Sequence, residues 1–115
     1  LAESEHVLIS YARLESRSAA GLAWVREVCS AVAAEAAHRG GPPEALSADR
    51  LRQACVHVNR EGADIAREAY LLAGTSALRD GPLQRCFRDL HAGAQHFFAS
   101  DAASIDWARG LLARP

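Results

Sequence analysis

The first third of the chain is one uninterrupted helical pattern, and its length limits what the remainder can fold into. From about Glu3 to His38, apolar side chains recur at spacings of three and four residues, with Gly21 as the only weak point. A helix of about 36 residues is about 54 Å long, far longer than the usual helix of a small domain. It needs a partner of similar length, and the stripe predicted to face that partner is Val7, Tyr11, Leu14, Leu22, Val25, Cys29, Val32 and Ala36.

A second long helix is predicted to be that partner. The segment Arg39-Gly40-Gly41-Pro42-Pro43 ends the first helix, because glycine accepts the left-handed cap and proline cannot continue the hydrogen-bond ladder. Ser47 is the predicted N-cap of the second helix, which runs about 26 residues to Gly74. Its apolar stripe is Leu51, Cys55, Val58, Gly62, Ile65, Ala69 and Leu72.

Two shorter helices complete the pattern. Asp80 or Gly81 caps the third, with Pro82 at its first position, and Ser100 or Asp101 caps the fourth. Their predicted inward residues are Leu83, Phe87, Leu90, Ala94 and Phe97 in the third helix, and Ile105, Ala108, Leu111 and Leu112 in the fourth. No strand-like alternation competes, so we expect an all-α, antiparallel up-down four-helix bundle, with residues 1–115 as a single domain.

Charge and composition exclude several classes of partner. The net charge of −1 gives no electrostatic argument for binding nucleic acid or an anionic membrane, and no apolar run reaches the 18 residues of a membrane span. Cys29, Cys55 and Cys86 are scattered without ligand spacing, so we expect small buried thiols in a reducing compartment, the cytoplasm. The chain begins with Leu1 and contains no Met, which favours a processed protein or a piece of a longer one.

The side chains suited to chemistry lie between residues 74 and 98. At 100° per residue, Arg85, Asp89 and His96 fall opposite the apolar stripe of the third helix, which is typical of a solvated face. An imidazole beside Phe97 and Phe98 can nevertheless exchange protons near neutral pH.

Other kinds of site have little support in the same segment. His91 and His96 are five residues apart, a spacing that does not suit a metal site, so no metal is predicted. The turn Gly74-Thr75-Ser76 is predicted to be a helix C-cap, with a phosphate cradle as the alternative. Neither hydroxyl of this turn has a nucleophile motif or an obvious base beside it, so covalent catalysis is not expected.

Two motifs in this segment carry a family resemblance. The run Tyr70-Leu71-Leu72-Ala73-Gly74-Thr75-Ser76-Ala77-Leu78 is followed by Pro82-Leu83-Gln84-Arg85-Cys86-Phe87-Arg88-Asp89-Leu90-His91-Ala92 and then Gln95-His96. Together they resemble the C-terminal helical domain of the acyl-CoA dehydrogenase superfamily. The pattern is most similar to the two-component (group D) flavin-dependent monooxygenases, and the helix order agrees over nearly all of the chain.

The resemblance implies a role for each matching residue. His96 corresponds to the histidine that faces the reactive edge of the flavin, and Gly74, Thr75 and Ser76 lie where the superfamily places flavin-contacting turns. Arg88 and Asp89 match a pair that is expected to be structural. The implied cofactor is reduced FAD or FMN, supplied by a flavin reductase, and the implied reaction is hydroxylation of a small aromatic substrate by a dimeric or tetrameric enzyme.

Departures from the family pattern qualify these expectations. True dehydrogenases carry a Tyr-Glu-Gly-Thr run whose Glu removes the substrate α-proton, whereas this chain has His96-Phe97-Phe98-Ala99-Ser100. Because no carboxylate is present there, dehydrogenation of an acyl-CoA is the weaker alternative. The superfamily's N-terminal helical domain and β-domain are not in this sequence, so we expect these residues to be inactive alone. A non-catalytic helical interaction module is the remaining alternative.

Overall fold

The computed structural model describes residues 4–95 and 100–115, and these residues form four α-helices and no strand. The elements are α1 (Glu5–Arg39), α2 (Ala45–Leu72), a short 3-10 helix (Gly74–Leu78), α3 (Pro82–Ala94) and α4 (Asp101–Leu112). The predicted all-α fold class is therefore confirmed, and so is the order of two long helices followed by two short ones.

The other three helices pack around α2, and each of them runs antiparallel to it. On α1, Trp24 contacts His57 of α2 with ring centroids 5.4 Å apart. On α3, a Cβ added at Gly93 would lie 3.6 Å from Asn59, while Ser104 of α4 donates a 2.7 Å hydrogen bond to Gln53. Thus α3 follows the C-terminal half of α2 and α4 follows its N-terminal half.

This arrangement makes an elongated body. The principal extents are 52 × 27 × 26 Å, and the long dimension is close to the length of α1. The radius of gyration is 17.4 Å, whereas a compact domain of this size has a value of about 13 Å. Much of the helical surface consequently lies outside the contacts that the chain makes with itself.

The second helix begins earlier than predicted. Ala45 is its first residue and Glu44 its N-cap, so the prediction that Ser47 is the cap is wrong. The reason is a side chain from α1: Glu35 accepts a 3.2 Å hydrogen bond from the Glu44 backbone N–H, and it also accepts one from the Ser47 hydroxyl. These bonds hold the pKa of Glu35 below its ordinary value, the Ser47 bond contributing most. A long-range partner thus replaces the local cap.

The face of α1 that packs on α2 is also shifted from the predicted one. Its buried residues are Leu14, Gly21 and Val28, which recur every seven residues. Tyr11, Leu22 and Cys29 of the predicted stripe are exposed, with Tyr11 at 69%. Only part of the predicted stripe, including the buried Leu14 and half-buried Val25, faces the α1–α2 interface. The apolar surface of α1 is therefore wider than its contact with α2.

The inward face of α4 was predicted wrongly. Ile105, Ala108, Leu111 and Leu112 are all exposed, whereas Ala103 is buried and Ser104, Asp106, Trp107 and Gly110 are half-buried. A Cβ at Gly110 would come within 2.4 Å of Leu46, so the missing side chain allows α4 to approach α2 closely. Polar contacts set the rotation of the helix: Ser104 bonds Gln53, and Asp106 lies 3.6 Å from Arg52.

The predicted helix ends of α3 and α4 agree with the structure. Gly81 is the N-cap of α3 with Pro82 as its first residue, and Ser100 is the N-cap of α4. Within α3, Leu83, Phe87 and Ala94 are half-buried, whereas Leu90 is 39% exposed. The remaining predicted inward residue of this helix, Phe97, lies outside the described residues.

Candidate functional site

The turn after α2 is a left-handed glycine followed by a 3-10 helix. Gly74 has φ +60°, a conformation that favours glycine, and it comes directly after the C-cap residue Ala73. The predicted helix C-cap is therefore present. Thr75 and Ser76 are exposed, and neither hydroxyl has a hydrogen-bond partner among the described residues. The turn is thus anchored by its backbone and leaves two hydroxyls available to a ligand.

A shallow polar depression of about 350 Å³ lies next along the chain, where α3 begins. Its lining is Asp80, Gly81, Gln84, Arg85 and Arg88. The first N–H groups of α3 have no partner within the helix, and the two guanidinium groups add positive charge nearby. Charge at this end of α3 thus suits an anionic group.

The polar face of α3 is solvated, as its pattern predicted. Arg85, Arg88 and Asp89 are all exposed. Arg88 and Asp89 were expected to form a structural pair, but neither makes an ion pair with any of the residues that the structure describes. Any structural role of this pair must therefore involve atoms beyond those described.

The predicted catalytic residue, His96, lies outside the described residues, together with Phe97, Phe98 and Ala99. The position just before it, Gln95, is the C-cap of α3. The turn Gly74–Ser76 lies before the opposite end of this helix, whose 13 residues span about 20 Å. The structure therefore does not bring Gly74, Thr75 and Ser76 next to Gln95.

Three aromatic rings line the contact between α2 and α3. The Tyr70 and Phe87 centroids are 4.7 Å apart with planes tilted by 36°, and the Phe87 and His91 centroids are 4.2 Å apart with a tilt of 31°. The His91 Nδ1 atom lies 2.7 Å from the Phe87 carbonyl oxygen. From the sequence, His91 was weighed only as a metal ligand, and its stacking on Phe87 was not predicted. The i, i+4 spacing of Phe87 and His91 could have revealed this stacking.

A charged cluster joins α1 to α2. Arg17 donates hydrogen bonds to both Glu61 and Glu68. The bond from Arg17 holds the pKa of Glu61 below its ordinary value, and the two carboxylates raise the pKa of Arg17. Sequence reasoning missed this cluster, although Arg17 interrupts the apolar spacing between Leu14 and Gly21 and so signals a charge at the interface.

An apolar groove of about 230 Å³ lies beside the charged cluster, between α1, α2 and the side chain of Leu90. Gly21 and Gly62 form part of its floor, and Leu22, Val58 and Ile65 line its walls. A second groove of about 410 Å³ shares Leu22 and Ile65 with the first and continues toward Tyr11. The two grooves follow the side of α1 that α2 leaves uncovered.

The cysteines differ from the expectation of buried thiols. Cys29 and Cys86 are exposed and only Cys55 is partly buried, so the prediction is wrong for two of the three. Burial raises the pKa of the Cys55 thiol, and the nearby Cys29 thiol raises it further. All three are free thiols.

The described ranges, 4–95 and 100–115, contain neither a cluster of metal ligands nor a membrane-spanning helix. No group of three or more His, Cys, Asp or Glu side chains there could hold a metal ion. None of the helices in the same ranges combines the length and the hydropathy required to cross a bilayer.

Comparison with known proteins gives one match. The family model described as the acyl-CoA dehydrogenase C-terminal domain matches residues 1–101. Comparison with the curated proteins and with the solved structures gave no match. The family match covers α1, α2, α3 and the segment that contains His96.

Proposed function

The chain belongs to the family of acyl-CoA dehydrogenase C-terminal domains, and from this premise we propose that it completes the flavin site of a two-component monooxygenase. The family generally uses flavin, so the proposal concerns the reaction and not the class of cofactor. The main support for this proposal is the sequence of residues 96–100, which contains the His96 imidazole and no carboxylate side chain. An imidazole can exchange a proton with a reacting oxygen near neutral pH, whereas this stretch offers no base of the dehydrogenase type.

The described residues are compatible with a bound flavin. The unpaired hydroxyls of Thr75 and Ser76 can donate to or accept from polar atoms of the cofactor. Arg85 and Arg88 place positive charge beside the start of α3, where a phosphate group is favoured. We therefore assign Gly74, Thr75 and Ser76 to cofactor contact, with most of the flavin held by domains outside these residues.

A bound FAD or FMN, delivered in reduced form by a separate reductase, would supply the O2-activating chemistry for hydroxylation of a small aromatic substrate. His96 holds and transfers a proton at the reacting oxygen. Thr75, Ser76, Arg85 and Arg88 are exposed in this chain, so exclusion of water from the site would require cover from the other domains of the full-length protein. The helices described here would contribute position.

The test is a His96→Ala substitution in the full-length protein. Loss of a general acid or base costs about 10²–10⁴-fold, so we expect hydroxylation to fall by at least 10²-fold while reduced flavin is still oxidised and releases hydrogen peroxide. His38→Ala is the matched control, since His38 is an exposed residue at the end of α1. Hydroxylation at the wild-type rate in the His96 variant would refute the central role of this residue.

Acyl-CoA dehydrogenation is the second candidate, because the matching family is described by that activity. It predicts that an acyl thioester reduces the flavin of the full-length protein under anaerobic conditions. The monooxygenase instead predicts weak flavin retention and dependence on a reductase. The third candidate, a non-catalytic interaction module, predicts that the coding region upstream of Leu1 encodes no flavin-binding domain.

We also propose that the bundle forms the core of a homo-oligomer, a dimer or more specifically a tetramer. Leu8, Ile9 and Tyr11 on α1 and Leu112 on α4 are exposed, with Leu112 at 86%. Several large apolar side chains that remain in contact with water favour burial against another copy or another domain. The oligomer proposal is independent of the reaction and is tested separately below.

A further inference from the structure

His91 is a half-buried imidazole that contacts the backbone of its own helix through Nδ1. Its Nδ1 atom lies 2.7 Å from the Phe87 carbonyl oxygen, and a carbonyl oxygen can only accept a hydrogen bond. The proton therefore resides on Nδ1. In the neutral ring, Nε2 then carries a lone pair and acts as a hydrogen-bond acceptor.

The hydrogen bond between His91 Nδ1 and the Phe87 carbonyl oxygen orients the imidazole ring but is not needed to satisfy the backbone of α3. Phe87 lies inside α3, so its carbonyl oxygen already accepts the backbone N–H of His91 four residues later. That oxygen is satisfied without the imidazole. The consequence of the additional bond is that the orientation and tautomer of His91 are defined.

Packing restrains the same ring from its face. The Phe87 ring lies between Tyr70 and His91, with centroid distances of 4.7 Å and 4.2 Å. Both contacts of His91 are with Phe87 of the same helix, and Phe87 in turn packs on Tyr70 of α2. A side chain held in this way is positioned before any ligand arrives, which is what a binding group requires.

The remaining nitrogen of His91 has no partner in the part of the chain that the structure describes. Its contacts there are the bond to the Phe87 carbonyl and the stacking on the Phe87 ring. The ring is thus held by one nitrogen and one face, while Nε2 has no hydrogen-bond partner among the described residues. Such an atom can accept a hydrogen bond from a hydroxyl or N–H group.

We propose that His91 is a second binding imidazole of the flavin site and accepts a hydrogen bond through Nε2 from a hydroxyl or N–H group of a bound ligand. The inference rests on the proposed function for the identity of that ligand, since both flavin and an aromatic hydroxyl compound carry such groups. His91 holds the ligand in place, and the proton transfer remains with His96.

Chemical modification of the full-length protein tests whether Nε2 is open and whether a ligand covers it. Diethyl pyrocarbonate acylates unprotonated imidazole nitrogens, and mass spectrometry of peptides locates the product. We expect His91 to be modified in the ligand-free protein and protected at least tenfold by FAD alone or by FAD with phenol, which distinguishes cofactor from substrate. His38, which is exposed, should react equally in every condition. An unreactive His91, or one protected by neither addition, would overturn the inference.

Two substitutions separate binding through Nε2 from a structural role of Nδ1. His91→Asn keeps an N–H near the position of Nδ1 and removes Nε2, whereas His91→Gln places a carbonyl oxygen near the position of Nε2. We expect the Asn variant to fold normally but to bind FAD or substrate at least tenfold more weakly, and the Gln variant to retain most of the affinity. The reverse order would show that His91 only stabilises α3.

The two proposals fail in different ways. If wild-type protein binds flavin but produces no hydroxylated product, the monooxygenase assignment fails while protection of His91 by FAD still supports its binding role. If hydroxylation occurs and the Asn variant behaves as wild type, His91 is not a binding group and the monooxygenase assignment stands.

Discussion

Arg17 joins the two long helices with a single charged side chain. It donates to Glu61 and Glu68 from a position on α1 that faces α2, and its side chain is 30% exposed. Partial exposure screens the attraction, so we expect the two ion pairs to contribute only modestly, as surface pairs do. Their main effect is on alignment, because the three side chains meet only in one register of the two helices.

The lowered pKa of Glu61 sets the direction of a pH dependence. Since its folded pKa lies below its unfolded value of about 4.3, its contribution is complete above that pH and is lost as the pH falls through the folded pKa. We expect Arg17→Met to lower the free energy of unfolding by about 0.5–1 kcal/mol at pH 7, with a smaller difference at pH 3. Urea unfolding across this pH range measures the effect.

The control for the charge experiment is Arg13→Met. Arg13 is exposed on α1 and has no ion pair among the described residues. Its removal should leave stability within about 0.5 kcal/mol at every pH. A pH-independent loss in the Arg17 variant would show that its aliphatic stem, and not its charge, supports the interface.

In α1 and α4, the apolar face of the helix is not the same as the face that packs against α2. In α1 the packed residues are Leu14, Gly21 and Val28, while Tyr11 and Leu22 belong to an apolar surface beside them. In α4, small and polar residues contact α2, whereas the aliphatic Ile105, Leu111 and Leu112 are exposed. Each of these helices therefore has two faces that could be buried, and only one is buried by this chain.

Two truncations on α1 distinguish the packed face from the exposed one. Val28 is fully buried, so Val28→Ala removes two buried methyl groups and should cost about 1.5–2 kcal/mol in the free energy of unfolding. Leu22 is 43% exposed, so Leu22→Ala should cost less than about 1 kcal/mol although it removes more atoms. Denaturant unfolding of the 115-residue chain measures both. A larger loss for Leu22 would mean that α1 is rotated about its axis.

The molecule as a whole is elongated, and part of the apolar surface of its helices is not covered by other described residues. Its radius of gyration of 17.4 Å exceeds the value of about 13 Å for a compact domain of this length. Exposed apolar side chains occur near the N-terminal end of α1 and at the end of α4, and grooves run between α1 and α2. An architecture of this kind is suited to being one layer of a larger assembly.

Self-association is the expected consequence for the 115-residue chain. We expect its apparent mass in sedimentation to rise with concentration, and the double substitution Ile9→Lys with Tyr11→Lys to reduce that rise by placing charge on an exposed apolar surface. Ala37→Lys is the control, because Ala37 is exposed near the other end of α1. A monomer at all concentrations would contradict the proposed oligomer core.

The sequence alone determined where the helices lie, since caps, glycines and prolines act within a few residues. Pro82 begins α3, Gly74 follows the end of α2, and Ser100 caps α4, all as predicted. The exception is the start of α2, where Glu35 reaches in from another helix. The resemblance to the acyl-CoA dehydrogenase C-terminal domain also came from the sequence, and the family match over residues 1–101 confirms it.

Only the tertiary structure decided which faces pack and which residues share a site. Periodicity identifies an apolar stripe but cannot tell whether this chain or a neighbour covers it, and for that reason the predicted faces of α1 and α4 were partly or wholly wrong. The turn at Gly74 and the position before His96 were treated as one site, although the 13 residues of α3 place them about 20 Å apart. The stacking of His91 on Phe87 is local to α3, but the contact of Phe87 with Tyr70 of α2 forms only when the two helices meet.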